Sequence, residues 1–159
     1  MRRGIQRCLR VGSMLLAATI ALPLPAAETT VRFARDAELG VIRIEARVDG
    51  DPVVLIVDTG ATRTLIAADV LGIRALPPRV ARPAPGVRIA GLPRVTNLGI
   101  GDRTLRDWSV LAVDFSAFRE VYGADIGGII GQDALMTFDV VEIDNRRGQI
   151  VFRSGGGDG

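Results

Sequence analysis

Two apolar stretches joined by an Asp-Gly pair constrain the fold of this chain more than any other feature. From residue 41 onward, Ile42, Ile44, Ala46 and Val48 alternate with Arg43, Glu45 and Arg47, the two-residue period of a strand with one buried face. Asp49-Gly50 suits the positive φ angles of a tight hairpin turn. Pro52 then opens a return strand, Val53-Val54-Leu55-Ile56-Val57, which is apolar on both faces and therefore expected to be central and buried. Short apolar runs between turn residues continue to the end of the chain. They predict an edge strand at 30–33, a strand passing into one or two helical turns at 64–71, and a second hairpin at 96–100 and 105–113 around Gly101-Asp102. Further along lie a helical turn at 115–122, a flat glycine-bracketed strand at 127–131, a short helix at 132–137 and a last hairpin at 138–143 and 149–152. Residues 76–93 carry Pro77, Pro78, Pro83, Pro85 and Pro93 and read as a surface loop, while 154–159 read as a flexible tail. The predicted class is mainly β, with one or two short helices and no internal repeat.

The absences narrow the chemistry. At 159 residues the chain has room for one ordinary domain. All 20 of its basic residues are arginine, histidine is missing altogether, and the one cysteine is Cys8. A Ser–His–Asp triad, a Cys–His pair, a Schiff-base lysine, a phosphate loop with its lysine and a His- or Cys-ligated zinc site are all excluded. Hydrolytic chemistry would have to come from carboxylates, hydroxyls and backbone groups. No metal and no cofactor is expected.

Residues 1–27 read as a secretory signal. Arg2, Arg3, Arg7 and Arg10 precede an apolar run over 11–24, and Pro25-Ala26-Ala27 offers small residues for cleavage. The run is shorter than the roughly 18 residues that span a bilayer, so a membrane anchor is the weaker alternative, and Cys8 lacks the surroundings of a lipidation site. Cleavage would remove four arginines and no acid, leaving 16 basic against 18 acidic residues and a net charge of −2. Nucleic acid is therefore not an expected partner, and membrane contact is expected only through an uncleaved leader. The anticipated organisation is a leader at 1–27, one domain at 28–153 and a tail at 154–159, exported to the periplasm or the exterior.

Chemistry concentrates where the apolar return strand ends. Val57 is followed by Asp58-Thr59-Gly60-Ala61, which sets a carboxylate at the end of a buried strand, a costly position unless function retains it. Gly60 permits a tight turn that brings backbone N–H groups to the carboxylate, and the Thr59 hydroxyl can brace a neighbouring loop. A strand-end Asx turn is the structural alternative. Downstream lies a second element, Ile129-Ile130-Gly131, followed by a short helix and a terminal hairpin.

Together these two elements resemble the retropepsin-like aspartic proteases, the single-domain relatives of pepsin, over roughly residues 41–152. In that family an Asp-Thr-Gly-Ala loop ends one strand, matched here by Asp58, Thr59, Gly60 and Ala61. An apolar-apolar-Gly strand passes beside it in a ψ-shaped arrangement, matched by Ile129, Ile130 and Gly131. The run from Gly128 to Leu135 also looks like the C-terminal block of bacterial exported members. The resemblance implies a closed β-barrel of the acid-protease type, one lobe per chain, and an aspartic endopeptidase acting on peptides. Two carboxylates sharing a proton would be needed, one as general base on a water and one as general acid on the carbonyl oxygen. With a single Asp-Thr-Gly in the chain, the resemblance implies a homodimer with Asp58 from each subunit at the two-fold axis and Thr59 bonded across it.

A hairpin flap would fall within 80–95, where Pro83, Pro85 and Pro93 depart from the usual pattern. The candidates there are a short hairpin at 87–95 with Gly91 near its tip, or a rebuilt loop. That departure motivates a second reading, a non-catalytic peptide-binding or scaffold module of the same fold. A third, an unrelated small β domain, would suit a stable monomer. Asp114, Asp125, Asp133 and Asp139 read as turn, cap or solvated positions.

Overall fold

The computed structural model describes residues 27–73 and 89–154. The predicted leader up to residue 26, most of the proline-rich loop and of the implied flap, and the tail beyond Ser154 lie outside the described residues.

The first strand to be read from sequence, β2 (Ile42–Val48), pairs antiparallel with β3 (Asp51–Val57), Ile44 standing opposite Leu55. Asp49 and Gly50 between them take φ values of 51° and 99°, conformations that an Asp-Gly pair reaches at low cost. Asn97 fastens this turn from outside: its N–H donates to Asp49 Oδ1 at 2.8 Å, and the Asp49 N–H donates to the Asn97 carbonyl at 2.9 Å.

β3 is central, as its sequence predicts. Its second neighbour is β9 (Ile126–Ile130), which runs parallel to it with Ile56 opposite Ile129 and Val57 opposite Ile130. Strands in such a position are covered on both faces. Accordingly Val53 and Leu55 enter the main core with Ile44, Leu98, Ile100 and Phe152, while Ile56 enters a second cluster with Ala67, Val113, Phe115, Ile126 and Ile129. The glycines of β9 have a packing cause. A Cβ at Gly127 would lie 2.3 Å from Val53 Cγ2, and one at Gly128 would lie 2.4 Å from the Leu65 carbonyl oxygen. At these two positions only bare backbone fits between β3 and β4 (Leu65–Ala67), the antiparallel partner on the other side of β9.

Beyond β4 the sheet continues through β8 (Leu111–Val113), parallel to β4, to β5 (Ile89–Gly91), antiparallel to β8. β6 (Arg94–Ile100) and β7 (Arg103–Ser109) form a hairpin that joins β2 through β6. On the far side, β1 (Ala27–Arg35) and the hairpin of β10 (Val140–Asp144) and β11 (Gln149–Ser154) complete the order β10-β11-β1-β2-β3-β9-β4-β8-β5. Two short helices, α1 (Ser116–Tyr122) and α2 (Gln132–Leu135), are the others expected. The mainly β, barrel-like class is as predicted; among the described residues the ring ends in β10 and β5 and is not sealed.

Several local expectations are corrected. Residues 30–33 are not an edge: β1 is nine residues long and lies between β11 and β2, which buries even Thr29. The return of the second hairpin stops at Ser109, because after Val110 the chain leaves β6 to add β8 beside β4. Past β4 the chain makes hydrogen-bonded turns, with the Gly72 N–H on the Asp69 carbonyl at 3.0 Å, where helical turns were expected. Gly91 is not a hairpin tip: it pairs with Ala112 of β8, and Pro93, lacking an N–H, separates β5 from β6. The second helix ends at Leu135, two residues early, and Ser154 closes β11 instead of opening the tail.

A set of surface carboxylates fastens turns and joins neighbouring elements, and all are held below the usual carboxylate range. Asp36 accepts chiefly from the Leu39 N–H, Asp69 from Arg119, Asp102 from the Thr29 hydroxyl, Asp107 from Arg94 and Asp144 from the Arg147 N–H. A carboxylate with a depressed folded pKa contributes stability that is present above its unfolded value and lost as pH falls through the folded one. Thermal midpoints measured from pH 7 downward should therefore stay level to about pH 4 and fall below it. A midpoint that rises in acid would contradict this.

Candidate active site

The site is assembled where β3 and β9 end side by side. Asp58 follows the last residue of β3, and its N–H donates to the Ile130 carbonyl at 3.1 Å, so the carboxylate is registered directly against the ψ strand. Its side chain is half-buried. The Gly60 N–H donates to Asp58 Oδ1 at 2.8 Å and orients the carboxylate, so a backbone N–H does reach it as expected, although Gly60 itself is not at positive φ. A Cβ on Gly60 would stand 3.2 Å from that same oxygen, so a larger residue would crowd the group that the turn presents. The Ala61 N–H closes the turn on the Asp58 carbonyl at 3.3 Å, and Ala61 packs partly buried on the second apolar cluster. Thr59 is exposed, and its hydroxyl makes no hydrogen bond within the described residues. It does not brace a neighbouring loop of its own chain.

The ψ strand is tied to this loop at three levels. Ile129 and Ile130 run beside Ile56 and Val57. The Gln132 N–H donates to the Ala61 carbonyl at 2.7 Å, and the Gln132 side-chain Nε2 donates to the Thr59 carbonyl at 2.7 Å. Gly131 passes so close beneath the loop that a Cβ there would lie 2.5 Å from the Arg63 carbonyl oxygen and 2.8 Å from that of Ala61. Thus Asp58, Thr59, Gly60, Ala61, Ile129, Ile130 and Gly131 form one constellation.

Below it lies a polar clamp that sequence reasoning missed. The Thr64 hydroxyl is buried; it donates to Asp133 Oδ1 at 2.7 Å and accepts from the Gly131 N–H at 3.3 Å. Asp133 Oδ2 faces Arg63 Nε at 3.4 Å, and Arg63 Nη2 donates to the Ser109 carbonyl at 3.3 Å. Asp133 keeps a contact with the start of α2 through the Ala134 N–H at 2.9 Å, but its carboxylate is mostly buried and holds the loop. That role goes beyond the turn, cap or solvated position expected. Asp114 does serve as a turn acid, accepting from the Ser116 N–H at 3.1 Å, whereas Asp125 and Asp139 are exposed. Replacing Thr64 with Val is expected to cost about 2–3 kcal/mol, because the Gly131 N–H and Asp133 each lose a buried partner. Thr64→Ser should recover most of it, and denaturant unfolding of the three proteins measures both.

Beside Asp58 opens a cavity of about 390 Å³, bounded by Gly40, Val41, Ile56, Phe118, Tyr122 and Ile129 among others. It brings a carboxylate to the rim of an apolar recess wide enough for a large side chain. Phe118 and Tyr122 come from α1, where their rings lie 6.2 Å apart. Their spacing of four residues on a helix is the signal that could have marked them. Among the described residues, no three acids are grouped so as to hold a metal ion.

The chain is similar in structure to a retropepsin-like aspartic protease from Rickettsia conorii, with a TM-score of 0.55 and 17% identity over 86% of this chain and 99% of that one. A second similar structure is the retroviral protease-like domain of Ddi1 from Leishmania major, with a TM-score of 0.46 and 18% identity over 67% of this chain and 82% of that one. Comparison with curated proteins gives no match. The aspartyl protease family model matches residues 44–134, more than half of the chain, from within β2 through the Asp58 loop into α2. By that match, on the fold and the Asp58–ψ strand pairing just described, the chain belongs to the aspartyl protease family.

Proposed function

We propose that the protein is an exported aspartic endopeptidase that acts as a homodimer, with one Asp58 from each subunit. The observation that carries this reading is the Asp58 carboxylate itself, oriented by the Gly60 N–H at 2.8 Å and standing at the rim of an apolar cavity. Only one Asp-Thr-Gly is available in the sequence, while peptide hydrolysis by aspartates needs two carboxylates. The exposed, unused Thr59 hydroxyl supports a bond across the two-fold axis to the partner's loop.

In the dimer, one Asp58 takes a proton from a water whose oxygen attacks the carbonyl carbon of the scissile bond. The partner subunit's Asp58 gives its proton to the carbonyl oxygen. Collapse of the tetrahedral species breaks the C–N bond: the departing amine takes the proton first removed from water, and a hydroxyl of the diol returns its proton to the partner subunit's Asp58, which restores the dyad. The substrate lies extended and pairs through its main chain, as an added strand does. An apolar side chain next to the scissile bond fills the recess between Val41, Ile56, Phe118, Tyr122 and Ile129. The segment ahead of β1 acts as a leader that directs the domain to the periplasm or the exterior.

The test is digestion of a complex peptide mixture between about pH 3.5 and pH 7. Cleavage beside apolar residues is expected, with activity per subunit rising with protein concentration wherever the dimer dissociates. A folded, dimeric protein that cuts nothing would favour the binding-module reading.

A further inference from the structure

The two walls of the recess beside Asp58 come from distant parts of the chain. Gly40 and Val41 end the turn between β1 and β2, while Phe118 and Tyr122 belong to α1. Each wall is organised locally. In the turn, Asp36 Oδ1 accepts from the N–H groups of Glu38 and Leu39 at 3.0 and 2.8 Å, the Gly40 N–H donates to the Asp36 carbonyl at 2.9 Å, and the Asp36 N–H donates to the Val41 carbonyl at 3.0 Å. By contrast, α1 is a seven-residue helix with no side-chain cap and no fully buried residue, a length that is marginal without tertiary anchoring. Arg119 secures its middle, through the Ile126 carbonyl at 2.8 Å and Asp69.

Arg43 joins the two walls. From β2 its Nη2 donates to Asp36 Oδ2 at 2.9 Å and also to the carbonyl oxygen of Tyr122, the last residue of α1. Its Nη1 lies 3.6 Å from Asp125 Oδ1, and a Cβ on Gly123 would stand 3.4 Å from that nitrogen, so the guanidinium is packed against the exit of the helix. The side chain is only 20% exposed. A planar fork that serves a carboxylate and a carbonyl at once is a task for arginine, which a single ammonium performs less well.

We propose that Arg43 is a positioning residue that sets the width of the recess beside Asp58 by tying the 36–41 turn to the end of α1. This rests on reading Asp58 as the active-site carboxylate. Without the tie, α1 swings on its Arg119 anchor, Tyr122 leaves its place, and the recess no longer distinguishes large from small apolar side chains.

The experiment compares the full chain with Arg43→Met, Arg43→Lys and Asp36→Asn by two readouts. The first is amide hydrogen exchange. In Arg43→Met, exchange over 36–41 and 119–125 should rise about tenfold while β3 and β9 stay as they are. The second is kcat/KM for two peptides that differ only in Phe or Ala beside the scissile bond. The preference between them should shrink about tenfold, through KM more than kcat, and recover in part in Arg43→Lys. If Arg43→Met does not fold, Asp36→Asn carries both readouts in the same direction. Unchanged exchange in both walls, or an equal loss of kcat for both peptides, would overturn the proposal. A parent chain that cleaves neither peptide would overturn the reading of Asp58 instead, and the exchange rates would still decide whether Arg43 joins the walls.

Discussion

Asp58→Asn should reduce peptide cleavage by about a thousandfold or more while leaving the fold and its thermal midpoint nearly as they were. The amide keeps the size of the carboxylate and can still accept from the Gly60 N–H through its oxygen, so the turn survives. It cannot take a proton from water or hold one for transfer to the substrate, and in a symmetric dimer a single substitution removes both members of the dyad. The loss should appear in kcat, with peptide binding in the recess preserved. Activity within tenfold of the parent would mean that Asp58 is not the reacting group, and loss of folded protein would mean that its role is structural.

Gly131→Ala has the largest expected effect on folding. The added methyl would lie 2.5 and 2.6 Å from the carbonyl oxygen and carbon of Arg63 and 2.8 Å from the Ala61 oxygen. These are backbone atoms of the Asp58 loop, which is bound to the same stretch of chain by the Gly131 N–H on the Thr64 hydroxyl and the Gln132 N–H on the Ala61 carbonyl. No side chain can turn away to make room, so either the loop or the ψ strand must move. The cost should be about 3 kcal/mol or more in denaturant unfolding, with cleavage lost even where folded protein remains. Gly91→Ala is the control: the nearest atom would be Pro93 Cδ at 4.0 Å, and its effect should stay within about 0.5 kcal/mol.

Local pattern made part of this molecule readable in advance. The alternation in β2, the Asp-Gly turn and the doubly apolar β3 are properties of adjacent residues, and each has the structure its pattern implies. The Asp58 loop was legible as a carboxylate at a strand end and residues 127–131 as a flat glycine-bracketed strand, but that the two lie side by side followed only from the resemblance to the retropepsin-like proteases, and the structure pairs them. What escaped depends on partners far away in sequence. β1 looks like a weak edge until β11, more than a hundred residues later, covers its other side. Thr64 and Asp133 look like ordinary polar positions, since nothing near either one announces the 2.7 Å bond that joins them across 69 residues. The stretch 105–113 is apolar enough to be one strand, and only the competing edge of β4 divides it. Between β5 and β6 the chain changes partner from β8 to β7 at Pro93, which has no N–H to donate.

The shared active site is tested most directly by mixing. Parent protein, held at a fixed concentration at which it is dimeric, is equilibrated with increasing amounts of Asp58→Asn protein, and peptide cleavage is followed. Mixed dimers carry one carboxylate, so cleavage should fall with each addition and reach about a tenth of its starting value when the variant is in about tenfold excess. Cleavage that stays constant through the same excess, with subunit exchange verified, would contradict an active site made from two Asp58 carboxylates.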